Sequence, residues 1–405
     1  MKHSDLIKML AQKTESKIVL LVMDGLGGIR TKERPKTELE LAHIPNLNAL
    51  AKESLCGRIM PVSYGVTPGS GPAHFSLFGY DPTDDQIQIG RGVLEALGLD
   101  MKLQAGDVAT RCNFATIDSK GLLTDRRAGR IPTEECVRLC ELLSSKIKKV
   151  DDVKVIIKPG EQYRFVVVFR GKKLDGHIKD TDPQVTGVKA LPAVAAGTSS
   201  KRMALIANKF IAKANQVLKN EAKANSILMR GFSVLPHVPS MTERFDITPV
   251  CIASYPLYRG VASVVGMDVL HTGMEIADEF QTLKENWSKY DFFFIHIKKT
   301  DSYGEDGNPE GKIKILEEVD KHIPALRGLN PDVIMVTGDH STPPPMKSHS
   351  WHPVPFMIHS NVCSFDDAQA FNETECSKGQ LGNFHSYYIM ELAMANAGKL
   401  KKFGA

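Results

Sequence analysis

The chain has 405 residues, of which 42% are hydrophobic, so it can bury a large core and form two domains or one domain with a large insertion. Its 51 basic and 47 acidic residues leave a net charge of +4, which argues against a nucleic-acid-binding surface and suits a small anionic substrate. Seven scattered cysteines without a C-x-x-C pair argue against a disulfide framework, and no apolar run approaches the ~18 residues of a membrane span. We therefore expect a cytoplasmic protein that binds neither nucleic acid nor a membrane.

The first element is an apolar run at residues 17–23 (KIVLLVM), which is typical of a strand buried on both faces of a parallel sheet. Asp24 follows this run directly and would lie at the carboxyl end of the strand, where open α/β sheets place their binding sites. Taken singly, such an aspartate is about as often a helix cap or a turn residue. Pro45 then fits the first turn of a helix that carries Leu47 and Leu50.

The segment at residues 66–74 (VTPGSGPAH) places the hydroxyl of Ser70 between two glycines. Gly69 and Gly71 would let the backbone come close to a bulky anion, and Ser70 would lie at a helix N-terminus, where N–H groups and the helix dipole favour negative charge. That position suits a phosphoserine. A Pro-Gly-Ser-Gly sequence is by itself more often only a turn, so Ser70 becomes a candidate nucleophile only if metal ligands converge on it.

From about residue 107 the pattern changes to mixed strands, at 153–157 and 163–169, and a polar helix at 133–148 with Thr133 as its cap. A periodic helix at 199–220 has one apolar face and is assigned a packing role. We therefore predict an inserted α+β domain at residues 106–235, between two core segments at residues 1–105 and 236–405.

Arginines concentrate near the start of this insertion. Guanidinium groups offer planar forks that match phosphate and carboxylate oxygens, which makes these residues candidates for binding an anionic substrate. A run of charges is more often a solvated surface, and both interpretations stay open at this point. The arginines are Arg111, Arg126, Arg127, Arg130 and Arg164.

Two further apolar runs, at residues 291–297 (DFFFIHI) and 332–337, predict buried strands that are each followed by acidic residues. Helices are predicted at 311–327 and 383–396. With Asp24, these strand ends would supply oxygen and nitrogen ligands for two divalent cations at one edge of a sheet. Two ions about 4 Å apart can bind phosphate oxygens and turn a serine hydroxyl into an alkoxide, which gives Ser70 a function. The candidate ligands are Asp24, Asp301, Glu305, Asp339, His340 and His349.

Eight short motifs in this order resemble those of the archaeal-type cofactor-independent phosphoglycerate mutases, which belong to the alkaline phosphatase superfamily. They span nearly the whole chain. The resemblance implies an α/β fold: an alkaline-phosphatase-like core with a mostly parallel sheet flanked by helices, plus the inserted α+β domain as a lid. The motifs are Val22-Met23-Asp24-Gly25, TPGSG at 67–71, Gly79-Tyr80-Asp81-Pro82, Ile89-Gly90-Arg91-Gly92, DRRAGRI at 125–131, Asp180-Thr181-Asp182-Pro183, YPLYRG at 255–260 and TGDHSTP at 337–343.

The resemblance implies that Ser70 is the nucleophile and a ligand of one metal, which Asp24, Asp339 and His340 would also hold. The other metal would be held by Asp301, residue 305 and His349. Many members of the family have histidine where this chain has Glu305, and many have aspartate where it has Gly71. Because Glu305 favours harder ions, we expect two divalent cations, manganese first, with magnesium, cobalt or zinc as alternatives.

The implied reaction interconverts 3-phosphoglycerate and 2-phosphoglycerate in glycolysis and gluconeogenesis, through a phosphoserine and without 2,3-bisphosphoglycerate. The lid would close over the substrate and exclude water. Two alternatives remain: a metal-dependent phosphohydrolase or phosphomutase for another small phosphorylated metabolite, and a non-enzymatic protein in which Glu305 marks a degenerate metal site. Whether the chain forms a homo-oligomer stays open. The candidate substrate-binding residues are Arg111, Asn113, Arg126, Arg127, Arg130, Arg164, His177 and Arg259.

Overall fold

The structure, a computed structural model, describes residues 3–84, 90–104, 106–235 and 238–404. The chain forms two compact units. The core unit comprises Met1–Ile87 and Val238–Ala405, and the inserted unit comprises Gln88–His237. Within the described ranges, no helix is both long and apolar enough to cross a membrane.

The strands are β1 Ile18–Met23, β2 Leu55–Met60, β3 Val108–Ile117, β4 Leu123–Asp125, β5 Lys149–Val150, β6 Val153–Pro159, β7 Arg164–Arg170, β8 Ile178–Lys179, β9 Val194–Ala195, β10 Ser226–Val234, β11 Pro249–Ala253, β12 Asp268–Leu270, β13 Phe292–Ile297, β14 Val333–Thr337, β15 Val354–Ser360 and β16 Asn383–His385. The helices are α1 His3–Leu10, α2 Glu38–Leu41, α3 Pro45–Ala51, α4 Ser70–Leu77, α5 Arg91–Gly98, α6 Thr133–Lys146, α7 Lys201–Leu218, α8 Met241–Phe245, α9 Pro256–Val264, α10 Ile276–Asn286, α11 Lys299–Glu305, α12 Pro309–Asp320, α13 Ile323–Gly328, α14 Glu373–Cys376 and α15 Ile389–Asn396. Two short 3₁₀ turns cover Ala128–Arg130 and Ser386–Tyr388.

The core unit is built on one mostly parallel sheet, in the order β12-β11-β13-β1-β14-β15-β2-β16. β1 lies at its centre and pairs in parallel with β13 on one side and with β14 on the other. Every residue of these three strands is buried, which explains their continuous apolar sequences and confirms the three predicted strands. Because the three strands are parallel neighbours, the residues that follow them emerge at the same edge of the sheet.

Two predicted helices of the core unit are wrong in their extent. The helix predicted at 311–327 is two helices, α12 and α13, because Pro324 lies in the first turn of α13 and would break a continuous helix. The helix predicted at 383–396 begins only at Ile389. Residues 383–385 instead form β16, which pairs in parallel with β2 at the edge of the sheet.

The inserted unit contains an antiparallel sheet in the order β10-β3-β7-β6-β5. Its larger hydrophobic core includes Phe114 and Phe165 from the sheet, Leu139 from α6 and Phe210 from α7. α6 begins at Thr133, but that residue is not its cap: its hydroxyl accepts a hydrogen bond from the amide of Gln162 (3.1 Å), and Pro132 occupies the cap position.

Helix α5 belongs to the inserted unit, because its Val93 and Ala96 pack with Ala109, Val166 and Val168 of the antiparallel sheet. The sequence boundary at residue 106 had placed this helix in the core. Residues 105 and 236, at the two predicted boundaries, lie outside the described residues, as does Ile89 of the glycine-rich motif.

Candidate metal centre and nucleophile

The turn after β1 presents Asp24, which is fully buried at the edge of the core sheet. Its backbone amide donates to the carbonyl of Ile297 (2.9 Å), so the end of β13 holds the start of the turn. Gly25 has a φ of +63°, a conformation that favours glycine, and its amide donates to Oδ1 of Asp339 (3.0 Å). The ends of all three central strands are therefore tied together at Asp24.

The first group of candidate ligands combines Asp24 with Asp339 and His340. Nε2 of His340 lies 3.3 Å from Oδ1 of Asp24 and 3.2 Å from Oδ2 of Asp339. All three atoms are buried and lack a hydrogen-bond partner among the described residues. Ligand atoms roughly 2.1 Å from one ion lie about 3.4 Å apart in a tetrahedral site. The arrangement therefore fits one divalent cation.

The second group combines Asp301 and His349, and Glu305 lies beside them. Nε2 of His349 lies 3.7 Å from Oδ1 of Asp301 and 3.7 Å from Oε1 of Glu305. Nδ1 of His349 donates to the carbonyl of Pro68 (3.0 Å), which leaves Nε2 as the ring nitrogen for a metal. His340 also lies within reach of this group, because ligand atoms of Asp301, His340 and His349 all lie within 4.8 Å of one another. Its ring stacks on that of His349, with centroids 3.6 Å apart.

Charge explains why these side chains favour cations. Burial opposes ionisation of Asp24, but His296, Lys298 and His340 outweigh it and hold the pKa of Asp24 well below its usual range. Burial and the neighbouring carboxylate of Asp24 raise the pKa of Asp339 well above its usual range. Burial likewise lowers the pKa of His340, which keeps the ring neutral and able to act as a ligand. Two carboxylates this close repel each other, and a cation between them removes that repulsion.

Ser70 is the first residue of α4, and Gly69 caps that helix. A Cβ at Gly69 would meet only one atom within 4 Å, Cδ of Pro72 at 3.9 Å, so the backbone beside the serine is open to a ligand. The carbonyl of Ser70 accepts a hydrogen bond from Nδ1 of His74 (2.8 Å), which also lies 3.4 Å from Oδ2 of Asp339. His74 and His349 thus tie the loop that carries Ser70 to both groups of candidate ligands.

Three of the predicted substrate-binding residues share one face of the sheet in the inserted unit. Asn113 pairs with Arg164 across β3 and β7, and Arg111 lies two residues from Asn113 on the same face. Nη1 of Arg111 lies 3.1 Å from a carboxylate oxygen of Glu95. Burial lowers the pKa of Arg111, and the nearby Arg164 and Arg91 lower it further. This face therefore carries two guanidinium groups, those of Arg111 and Arg164, of which Arg111 is paired with Glu95.

The other predicted substrate-binding residues have different surroundings. Arg126 donates twice to the buried carboxylate of Asp182, both at 2.7 Å, so its fork is already engaged. Arg127 and Arg130 are exposed. The side chain of His177 is 81% exposed, and its Nδ1 lies 2.5 Å from Oδ1 of Asp175. Arg259 lies on α9, in the core unit.

Residues 51–223 match the sequence model of a family described as 2,3-bisphosphoglycerate-independent phosphoglycerate mutase. A relative from Aquifex aeolicus, named "Probable 2,3-bisphosphoglycerate-independent phosphoglycerate mutase", is 52% identical over 99% of this chain and 100% of its own length. A relative of the same name from Thermus thermophilus is 47% identical over 98% of each chain. This chain belongs to that mutase family.

Two solved structures are similar over nearly the whole chain. A Pyrococcus horikoshii protein is 30% identical, with a TM-score of 0.81, and the match covers 97% of this chain and 100% of the other. The cofactor-independent phosphoglycerate mutase of Thermoplasma acidophilum is 29% identical, with a TM-score of 0.77, and the match covers 95% of this chain and 100% of that one. The mutase fold therefore extends over both units.

Lys298 is a residue of the mutase centre to which the sequence assigned no role. Its Nζ lies 3.1 Å from Oδ2 of Asp24 and 2.5 Å from Oδ2 of Asp301, so it joins the two groups of candidate ligands. Its neighbour Lys299 is half exposed and pairs instead with Glu275 (3.2 Å). The sequence places both lysines directly after β13 and gives no signal to choose between them.

Tyr258 is a second residue that the sequence analysis missed. Its hydroxyl donates to Oδ2 of Asp24 and also interacts with the side chain of Ser70. Its ring stacks on the buried ring of His296, with centroids 3.6 Å apart. The YPLYRG motif at 255–260 contains this tyrosine, but nothing in the motif indicates that it faces Asp24.

Position 305 carries a glutamate, where the family resemblance led us to expect histidine in many members. The side chain of Glu305 is 54% exposed, and burial of its remaining part together with the charge of Asp301 raises its pKa. Its Oε1 lies 3.7 Å from Nε2 of His349. The ligand atoms that all lie within 4.8 Å of one another here come from Asp301, His340 and His349, and Glu305 is not among them. Trp351 is exposed and stacks on His352, and nothing in the structure explains a tryptophan there.

Proposed function

We propose that this protein interconverts 3-phosphoglycerate and 2-phosphoglycerate through a phosphoserine at Ser70, without 2,3-bisphosphoglycerate. The observation that carries the proposal is the convergence of carboxylates and histidines from three adjacent strand ends on the loop that begins α4. Membership in the mutase family supports the same reaction. His340 lies 316 positions after Asp24 in the sequence, yet its Nε2 is 3.3 Å from Oδ1 of Asp24 and 3.2 Å from Oδ2 of Asp339.

We propose that the centre binds two divalent cations, manganese first, with magnesium, cobalt or zinc as alternatives. Asp24, Asp339 and His340, with Ser70, would hold one ion, and Asp301, Glu305 and His349 would hold the other. When bound, such ions lower the pKa of the serine hydroxyl and neutralise charge on the phosphoryl group. Three ligand atoms of the first group are buried without a hydrogen-bond partner among the described residues. Such atoms are rare in proteins, which supports their assignment to a metal ion.

The chain's own residues would perform the transfer in two balanced steps. Ser70 Oγ attacks phosphorus and loses its proton, the bond from phosphorus to the glycerate oxygen breaks, and that oxygen takes up the proton that the serine gave up. The other glycerate hydroxyl then attacks the phosphoserine, loses its proton and restores the Ser70 hydroxyl. Throughout, the first amides of α4 and the charge of Lys298 would stabilise the phosphoryl oxygens.

We further propose that the inserted unit is a lid that keeps water away from the phosphoserine. Arg111, Asn113 and Arg164 would bind the carboxylate or the phosphate of the substrate, since they share one positively charged face. Arg127, Arg130, His177 and Arg259 are further candidates for binding the substrate, and Arg126 would act by fixing Asp182. A cytoplasmic location and assembly into a homo-oligomer stay predictions of the sequence.

The test is an enolase-coupled assay of metal-stripped protein with 3-phosphoglycerate, with manganese added back and no 2,3-bisphosphoglycerate. We expect turnover that requires manganese and releases little inorganic phosphate. Ser70→Ala should abolish turnover, and Ser63→Ala, on the same connection before α4, should not. Steady release of phosphate would favour the phosphohydrolase, and no turnover with any of the four metals would favour the non-enzymatic alternative.

A further inference from the structure

Lys312, on α12, is a fully buried lysine with no carboxylate bound to its ammonium group in the described structure. Its Nζ donates instead to three backbone carbonyls, those of Gly25 (2.8 Å), Gly27 (3.1 Å) and Thr342 (3.1 Å). All three protons of the ammonium are therefore used. Burying a charge in this way is costly, so the position calls for an explanation.

The three carbonyls belong to the two turns that carry the first group of candidate ligands. Gly25 and Gly27 follow Asp24 at the end of β1, and Thr342 follows the Asp339–His340 pair at the end of β14. The amide of Thr342 also donates to the carbonyls of Gly25 (3.2 Å) and Gly27 (3.1 Å). Lys312 thus completes a set of bonds that joins the two turns directly.

The same contact extends to the second group of ligands. Oγ1 of Thr342 donates to Oδ1 of Asp301 (2.6 Å), the oxygen that lies 3.7 Å from Nε2 of His349. A Cβ at Gly25 would come within 2.5 Å of Oγ1 of Thr342 and 2.8 Å of Oδ1 of Asp301. The turns are packed so closely that a shift of one moves the other.

Two buried glutamates partly offset the cost of burying the Lys312 ammonium, although burial still lowers its pKa below the ordinary value. Glu38 is 1% exposed, and neither of its carboxylate oxygens has a hydrogen-bond partner among the described residues. Glu373 accepts from the amide of Gly28 (2.8 Å) and the hydroxyl of Thr37 (2.6 Å). Both carboxylates favour the ammonium form of Lys312, against the cost of its burial.

We propose that Lys312 is a positioning residue of the metal centre, a buried ammonium that holds the Asp24 turn and the Asp339–His340 turn in register. An apolar side chain of similar length would fill the space but would leave three carbonyls short of a donor. The consequence for metal affinity rests on the proposed two-metal site. The effect on the two turns does not depend on that site, so it can be measured in metal-free protein.

The test compares Lys312→Met with Leu316→Ala, a cavity-forming change one helical turn away on α12. In metal-free protein, the rate of amide hydrogen exchange, measured by mass spectrometry, should rise about tenfold or more at residues 24–28 and 339–342. This rise should occur in Lys312→Met and not in Leu316→Ala. Titration calorimetry with manganese should show affinity about 10- to 100-fold weaker than in the unaltered protein, the range for residues that orient ligands. Leu316→Ala should lower thermal stability while keeping manganese affinity within about twofold, since it leaves the turns intact.

Unchanged exchange in both turns of a folded Lys312→Met protein would overturn the proposal, as would an equal loss of manganese affinity in Leu316→Ala. If Lys312→Met does not fold, the same measurements on Lys312→Gln decide, because glutamine keeps two donors and lacks the charge. The rate of hydrogen exchange in the two turns of Lys312→Gln should lie between the rates in the unaltered protein and in Lys312→Met. A rate equal to that of the unaltered protein would count against a positioning role for Lys312. Failure of the mutase proposal would instead appear as absent turnover in the unaltered protein.

Discussion

In the core unit Asp24, Asp339 and His340 are fully buried at the ends of parallel strands, whereas in the inserted unit Arg127 and Arg130 are exposed on a short turn. The core residues are held by neighbours on several elements before any ligand arrives. Among the predicted substrate-binding arginines of the inserted unit, Arg111 and Arg126 are paired with carboxylates of their own unit. The comparison suggests that the core unit performs the chemistry on a preset geometry, and that the inserted unit supplies recognition.

The largest effect should come from a ligand in the core unit. Asp339→Asn removes a carboxylate charge from the first group, and we expect manganese affinity and kcat to fall by more than about 100-fold, beyond the range for outer-shell residues. Calorimetry and the enolase-coupled assay measure the two quantities. Asp367→Asn, at an exposed aspartate of the same unit, is the control and should change neither. Full activity in Asp339→Asn would mean that the buried group does not hold the metal.

A change in the inserted unit should affect KM for the substrate and leave metal affinity unaltered. Arg164→Met removes one guanidinium from the face shared with Arg111 and Asn113, and we expect KM for 3-phosphoglycerate to rise about 10- to 100-fold, the value of one charge-assisted contact. Manganese affinity should stay the same. Arg138→Met, which removes an arginine paired with Glu135 and Glu221 on the same unit, should leave KM unchanged. A loss of manganese affinity in Arg164→Met would contradict the division between the two units.

A smaller change should follow from Glu305→His, which restores a nitrogen ligand at the second group. Because imidazole suits zinc and cobalt better than a carboxylate does, we expect the ratio of zinc to manganese affinity to rise about tenfold. Competition titrations with both metals measure this ratio. Asp306→His, next to it on the chain, is the matched control, and an equal change there would show that position 305 is not a ligand.

The last expected effect is on stability, without a change in the chemistry, at the Arg126–Asp182 pair. Burial opposes ionisation of Asp182, yet Arg126 and Arg230 lower its pKa below the ordinary value. Arg126→Met should cost about 1–3 kcal/mol of unfolding free energy at pH 7, since a buried carboxylate loses its main partner. The pKa of an aspartate in the unfolded protein is about 4, and in the folded protein the pKa of Asp182 is lower. The pair therefore stabilises the fold at pH values above about 4, and this stabilisation is lost as the pH falls through the pKa that Asp182 has in the folded protein.

The difference between Arg126→Met and the unaltered protein should therefore be full above about pH 4 and shrink below it. Chemical denaturation at a series of pH values measures it. A difference that stays constant down to pH 2 would show that the pair contributes through packing, with no role for its charge.

The three central strands could be predicted because their apolar runs are a local sequence signal, and the candidate metal ligands follow from the way parallel strands end at one edge of a sheet. Apolar runs at 17–23, 291–297 and 332–337 predicted strands now seen at Ile18–Met23, Phe292–Ile297 and Val333–Thr337. Acidic residues that follow such strands must share one edge when the strands are parallel. From this rule the sequence predicts that Asp24, Asp301 and Asp339 lie close together.

Other residues could not be predicted, because their roles depend on contacts between distant segments. Tyr258 reaches Asp24 across 234 positions, and Lys312 reaches Gly25 across 287. In the sequence, Lys312 looks like a solvated charge on an amphipathic helix. Arg126, by contrast, was assigned to the substrate from its place in an arginine-rich run, while its actual partner, Asp182, lies 56 positions away.

The most direct test of the two-metal centre is a crystal structure of the manganese-loaded protein, with anomalous differences measured at the manganese edge. The account predicts two peaks about 4 Å apart. One should lie roughly 2.0–2.3 Å from Asp24, Asp339 and His340, and the other at similar distances from Asp301 and His349. A single peak elsewhere in the chain, or two peaks beyond bonding distance of these side chains and of Ser70, would contradict it.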